Sequence, residues 1–327
     1  MKTTTKILSA FLLSVLHTVL AAQQDSLDNE RIAKMVSLSE VVIRSDVNIP
    51  NFIERVKNDT SFYKAFRNLH IIGFTSFNDI RIVDKEGKMK AGMQSKTRQA
   101  RFAGCRTMEV LSETTQGGFY NNDNSYNYYT AELYAGLFFT TGKICEENNI
   151  VKGTSFTAKG KSGMAKNKEQ LKMLVFNPGK KIPGIPFIGN KIDIFDPDVA
   201  DYYDFAIDQQ DYEGRSCYIF SIKAKNDLRA GKKDRIVIDN LITWFDAKTM
   251  DVLARNYALS YDAGVYDFDV QIEVQLTKFG DLLVPKLLRY TGNWKVLFKK
   301  RERGLFTATL GEFQPESTIA KESGVGN

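Results

Sequence analysis

Histidine is nearly missing from this sequence: 327 residues contain two, His17 and His70. His17 falls inside an N-terminal apolar run, which leaves one imidazole for the rest of the chain. A metal centre built on histidines is excluded. A Ser-His-Asp triad would need His70, and no G-x-S-x-G motif accompanies it. His70 stands between Leu69 and Ile71 in what reads as a strand, a structural setting. Cysteine is scarce too. Cys105, Cys145 and Cys217 are far apart and form no C-x-x-C, which argues against a zinc knuckle or a disulfide framework. One bridge plus a free thiol, or three buried thiols, remain the alternatives. After residue 22 no apolar run is long enough for a helical membrane span. Neither sign of charge dominates, since 45 Lys and Arg against 39 Asp and Glu leave +6. That balance gives no signal for nucleic acid. It is compatible with contact to an anionic membrane surface.

What is present is ordinary globular composition, 43% hydrophobic and 26% charged, enough to build a substantial core. Lys2 and Lys6 precede an apolar run, Ile7 to Leu20, followed by Ala21-Ala22-Gln23. This is the pattern of a secretory signal peptide over 1–22, with cleavage expected at or near Ala21. No cysteine follows the run, so no lipid anchor is expected. The expectation is export to the periplasm or cell surface. A polar lead segment, 23–45, precedes one domain over 46–313, and a disordered tail occupies 314–327.

Phe52, Ile53, Val56, Tyr63 and Phe66 recur at helical spacing. Asn58-Asp59-Thr60 splits them into two short helices, with Thr60 capping the second. Alternation begins at Leu69 and continues through Lys85-Glu86-Gly87-Lys88, a hairpin turn, into MKAGMQSKTRQARFAG and RTMEVLSET. The Tyr/Asn-rich stretch 119–139 reads as a loop leading into a strand or short helix. KEQLKMLVF and DPDVADYYD read as short helices, with a Pro/Gly-rich loop over 177–191 between them. From Tyr212 onward the pattern is antiparallel β, with turns at Ala247-Lys248-Thr249, Phe279-Gly280-Asp281 and Gly292-Asn293. The fold class expected is mainly β (α+β).

Several stretches bear on chemistry. Ser155 to Ser162 nearly match a phosphate loop, but Ser155 replaces its first glycine and no buried strand precedes it, so a basic surface loop accounts for it better. Asp193, Asp196, Asp198, Asp201, Asp204 and Asp208 supply oxygens of the kind calcium takes. Helix capping by Asp196, Pro197 and Asp198 explains them without an ion, and neither metal nor cofactor is expected. Tyr120, Tyr126, Tyr128, Tyr129 and Tyr134 among asparagines suit a polysaccharide- or protein-binding surface. Half-buried strand tyrosines beside a loop explain them better. Lys295, Lys299, Lys300, Arg301 and Arg303 are suited to lipid phosphates or to protecting a sheet edge. Asp267 and Asp269 share one strand face, the spacing a carboxylate hydrolase would use, but every wet strand face offers such pairs.

The C-terminal third, about 206–313, resembles the half-barrel of periplasmic lipoprotein carriers of the LolA/LppX kind. DYEGRSCYIFSIKAK resembles that fold's strand beginning G-x-x-x-Y. ITWFDAKTMDVLARNYAL resembles its strand, D-x-x-T turn and return strand, with Trp244, Asp246, Thr249 and Leu253 in place. FGDLLVPKLLRY resembles a later strand carrying a proline. The N-terminal part is similar to uncharacterised exported bacterial envelope proteins. The resemblance implies a curved, open antiparallel half-barrel with a few plugging helices, a cavity for acyl chains, and no catalytic residue. The chain departs from a typical carrier in its length and in the loop 177–191. The function expected is non-enzymatic binding of a hydrophobic or lipidated ligand. Ile219, Ile242, Trp244, Leu259, Phe268, Ile272 and Val274 are the apolar residues expected to face core or cavity. The alternatives are a surface module using 119–134 and a carboxylate hydrolase.

Overall fold

A computed structural model describes residues 26–43, 47–151, 173, 176–181, 188–226, 228, 233–262, 266–296 and 300–317. The leader 1–22, the loop 155–162, Lys299, most of KEQLKMLVF and the tail beyond 317 lie outside the described residues. Among those described, a helix over 26–35 (α1) leads into β1 (Val36–Leu38) and α2 (Glu40–Ile43). Next come α3 (Ile49–Asn58), α4 (Ser61–Asn68), β2 (Gly73–Val83), β3 (Met89–Phe102) and β4 (Cys105–Gly117). Then follow α5 (Tyr129–Phe138), β5 (Ile144–Cys145), α6 (Pro197–Ala200), β6 (Tyr203–Tyr212), β7 (Arg215–Ala224) and β8 (Ile238–Asp246). The chain ends with β9 (Val252–Asp262), β10 (Tyr266–Phe279), β11 (Leu282–Val296) and β12 (Glu302–Gln314).

Twelve strands of the described residues form one open sheet, in the order β1-β6-β7-β8-β9-β10-β11-β12-β2-β3-β4-β5. Every pairing is antiparallel except β1 with β6. Two-residue steps keep alternate side chains on one face, so registered pairs define the two faces of the sheet. Tyr257 opposite Ile272, Ile272 opposite Tyr290 and Tyr290 opposite Phe306 belong to one face. That face carries the helices. Phe52 of α3 meets Tyr218, Phe220 and Phe245 at ring separations of 6.0, 5.7 and 5.7 Å. Tyr134 of α5 meets Phe306 at 4.8 Å, and Phe306 stacks on Tyr290 at 4.4 Å. Each such side chain gains about 1.5–3 kcal/mol from burial, which holds the short helices where their own propensity would not.

The split between α3 and α4 falls where the sequence indicates, but its cap differs. Asp59 Oδ1 accepts from the Ser61 backbone N–H at 3.1 Å and from its hydroxyl at 2.6 Å. Thr60 makes no side-chain capping bond. His70 sits in a 3-10 turn, Leu69–Ile71, and not in a strand; strand pairing starts at Gly73. DPDVADYYD is helical only over Pro197–Ala200, where Asp196 accepts from Asp198 N–H, and Tyr203 already begins β6. The lead segment supplies β1 and buries Ile32 and Val42. Gly292-Asn293 is not a turn but lies inside β11. A Cβ at Gly292 would collide with the Tyr290 hydroxyl, so glycine serves close packing there. The β3–β4 turn is a two-residue one, with Ala103 and Gly104 both at positive φ (49° and 74°), matching the strand twist.

Of the two cysteine alternatives, the bridge is found. Cys105 and Cys145 lie opposite each other in β4 and β5 and are disulfide-bonded, and Cys217 is free and buried. The closed loop of 40 residues contains α5.

Candidate functional site

The seven apolar residues named from sequence fall on both sides of the sheet. Leu259, Phe268, Ile272 and Val274 share the helix-bearing face and are buried. Ile219, Ile242 and Trp244 project from the opposite face, because Ile219 pairs with Trp244 and Ile242 with Ser221. They are half-buried. Tyr212, at the tip of the β6–β7 hairpin, lies against Trp244 at 5.7 Å. Its neighbour Glu213 accepts from Lys286 Nζ of β11 at 2.5 Å, so the hairpin tip is clamped across the sheet.

At one end of β7–β10 the strand residues Lys223, Asn240, Ser260, Asp262 and Asp267, on the parity opposite the helices, surround a depression whose margin Tyr261 and Phe268 reach from the helix-bearing parity. A cleft of about 760 Å³ opens there, lined by Leu228, Ile236, Tyr261 and Phe268 with Lys223, Lys225, Asp239 and Asp262. Phe268 and Tyr261 are nearly buried, and their rings lie 6.2 Å apart. Lys191 Nζ sits 4.9 Å over the Tyr261 ring and donates to its hydroxyl at 2.8 Å. Asp239 accepts from Ser260 at 2.9 Å; burial pushes its carboxyl up, and the nearby Asp269 charge adds to this.

The other candidates resolve individually. His70 Nδ1 meets Glu147 Oε1 at 2.8 Å. A carboxylate only accepts, so Nδ1 carries the proton. Burial pushes the imidazole down to about 4; Glu147 opposes this, and Arg106 and Arg67 reinforce it. Burial works to raise Glu147, yet bonds from Arg106 and His70 hold it below the usual carboxylate range. Arg106 also donates to Thr140 and to Gln99. Arg101 donates to the His70 carbonyl at 2.5 Å and to Glu147 O at 3.3 Å. Sequence reasoning named none of His70's partners.

Asp267 is held by Arg301, and Glu273 by Arg289 at 2.9 Å. Asp196 serves as the cap, and Asp201 pairs with Arg31 at 2.8 Å. No metal-ligating group of side chains occurs among the described residues. Tyr134 is fully buried and donates to Asn78 Oδ1 at 2.6 Å, and Tyr129 packs on Trp294 at 4.9 Å. Tyr120 and Tyr126 remain a half-buried pair at 5.4 Å. Of the basic run, Lys295 and Lys300 are exposed, while Arg301 is turned to Asp267 and Asn293. Arg255 was also missed. It is buried, donates to Thr243 at 3.0 Å and lies 4.3 Å over the Phe62 ring. Its place on the same parity as Tyr257 and Leu259 was a signal that could have found it.

No protein-family model matches the chain, and no curated protein matches its sequence. Among solved structures it is similar to a DUF1329 family protein from Desulfovibrio piger, at 13% identity and TM-score 0.24, covering 80% of this chain and 96% of that one. It is similar to a putative outer membrane lipoprotein-sorting protein domain from Vibrio parahaemolyticus, at 8% identity and TM-score 0.27, covering 82% and 92%. A LolA superfamily protein from Nitrosomonas europaea aligns at 6% identity and TM-score 0.24, covering 80% and 94%. The chain resembles LolA-superfamily and DUF1329 proteins. The likeness assigns no residue and no role to this chain.

Proposed function

We propose that the chain is an exported, non-enzymatic protein that binds a hydrophobic ligand, an acyl chain or a lipidated partner, on the helix-bearing face of its open sheet. The observation that carries this is the 760 Å³ cleft reaching Phe268 and Tyr261 at the margin of an apolar face. An acyl chain entering past Phe268 toward Leu259, Ile272 and Val274 gains about 0.8 kcal/mol per buried methylene and needs no ionic partner. Lys223 and Lys225 at the mouth suit an acidic head. The Cys105–Cys145 bridge supports export, since structural disulfides persist in oxidising compartments. Two features speak against catalysis. A histidine pushed down to about 4 is a poor general base at neutral pH, and Asp267 is engaged by Arg301.

The test is titration of delipidated protein with a fluorescent fatty acid. Saturable binding is expected, weakened at least tenfold in Phe268→Asp and unchanged in Ile242→Asp on the opposite face. No saturable binding by the native chain, or undiminished binding by Phe268→Asp, sinks the proposal.

A further inference from the structure

The face opposite the helices carries a second site with different chemistry. A groove of about 620 Å³ crosses β10, β11, β12 and β2 there. Register places Asp269 opposite Asn293, Asn293 opposite Arg303, and Arg303 opposite Val83. The floor includes the backbone of Gly292 and Gly304, which face each other across β11 and β12. A Cβ at either would run into Tyr290 or Thr130 on the helix-bearing side. The sheet therefore approaches α5 closely at Gly304. Val83, Met89 and Leu305 give the groove apolar walls, with Met89 and Leu305 41% and 37% exposed.

Charge within the groove is segregated. Asp269 stands at the β10 side, and Arg303 and Arg81 stand at the other. Arg81 already donates to both oxygens of Asp79, at 2.9 and 2.6 Å. Among the described residues, neither the Asp269 carboxylate nor the Arg303 guanidinium has a hydrogen-bond or ion-pair partner. Their Cα atoms are two strand spacings apart, about 10 Å. The groove thus presents a free anion and a free cation facing one space with apolar walls.

We infer that this groove binds one phospholipid molecule with a phosphoethanolamine headgroup. The guanidinium of Arg303, seconded by Arg81, takes the phosphate in the forked geometry that arginine offers. Asp269 accepts from the ammonium. The first methylenes of the chains lie along Val83, Met89 and Leu305. A purely anionic headgroup would leave Asp269 facing negative charge, and a choline has no N–H to donate. Asp269 pairs with Ser260 of the Phe268 cleft, so the two sites adjoin, but neither Asp269 nor Arg303 lines that cleft.

The probe is dihexanoylphosphatidylethanolamine, kept below micelle formation and titrated into the full chain by calorimetry. Arg303→Gln and Asp269→Asn should each weaken binding tenfold or more with no change in thermal midpoint, and Phe268→Asp should leave it unchanged. Arg303→Lys, which keeps the charge but not the fork, should recover part of the loss and serves if the glutamine variant does not fold. Dihexanoylphosphatidylglycerol should bind at least tenfold more weakly than the ethanolamine lipid, and Asp269→Asn should abolish that preference. The inference is overturned by absence of saturable binding, by equal binding of the glycerol lipid, or by undiminished binding in either Arg303→Gln or Asp269→Asn. It is also overturned if free phosphoethanolamine binds as tightly as the lipid, since the apolar walls would then contribute nothing.

Discussion

On β7, β8 and β9 the helix-bearing face presents Phe220, Ile222, Leu241, Phe245, Tyr257 and Leu259. On β2 and β3 the same face presents Phe74, Ile80, Ile82, Ala91 and Met93 together with a polar group, Ser76, Asn78, Ser95, Thr97, Gln99 and Arg101, equally buried. The first arm is held by packing, in which many weak contacts tolerate rearrangement. Even its buried cation, Arg255, lies on an aromatic ring. The second arm is held by directed bonds. Gln99 donates to the carbonyls of Leu69 and Ile72 at 2.7 and 2.8 Å, and Asn78 accepts from Ser76 and Tyr134, both at 2.6 Å. The 3-10 turn at His70 and the β5 edge are pinned to that arm through Arg101, Arg106 and the disulfide. On the reading proposed above, a face that admits an apolar ligand is better made from the first chemistry, and a fixed frame for it from the second.

The largest expected effect separates the arms by packing. Phe220 is 1% exposed and touches Phe52 and Phe205. Phe220→Ala should cost about 3–5 kcal/mol in urea unfolding, against about 1 kcal/mol for Thr97→Ala, which removes little volume. Equal costs would mean that the arms are built alike after all.

Next in size is acid. The His70 pKa drops from 6.5 to about 4 on folding, so the folded state resists the proton that the unfolded chain accepts. Its contribution is complete above about pH 6.5 and is lost as pH falls toward 4, by up to about 3 kcal/mol. Urea midpoints between pH 7.5 and 4.5 should fall less steeply in His70→Gln, which keeps a donor for Glu147. Equal slopes would remove the polar arm from the acid response.

The sequence shows these arms unequally, for reasons that lie in particular residues. YDFDVQIEVQL has one apolar parity and one polar parity, so the buried face of β10 is readable directly. In SCYIFSIKA both parities hold large apolar residues, so which of Ile219 and Phe220 faces the helices depends on pairing partners. In MKAGMQSKTRQARF both parities are largely polar. Ser95, Thr97 and Gln99 look like a wet face until α5 and the His70 turn are brought over them by contacts remote in sequence. Gly292 misleads for a similar reason, because the Tyr290 ring that requires it is visible only in the folded strand. The cleft at Phe268 needs four strand ends together, which alternation does not report.

The smallest effects come from one chemical change made in each arm. Tyr134 in the polar arm and Tyr203 in the apolar arm are both essentially buried. Tyr134→Phe deletes a donor to Asn78 Oδ1, which keeps only its bond from Ser76, and should cost about 1 kcal/mol. The Tyr203 hydroxyl makes no well-formed hydrogen bond among the described residues; burial raises its pKa, and the backbone of Ile238 and Val237 nearby offsets only part of this. Burying a hydroxyl without a well-formed bond is itself unfavourable. Tyr203→Phe should therefore be neutral or stabilise by up to about 1 kcal/mol, read as an unchanged or higher urea midpoint. A loss matching that of Tyr134→Phe would show a directed bond in the arm held here to depend on packing.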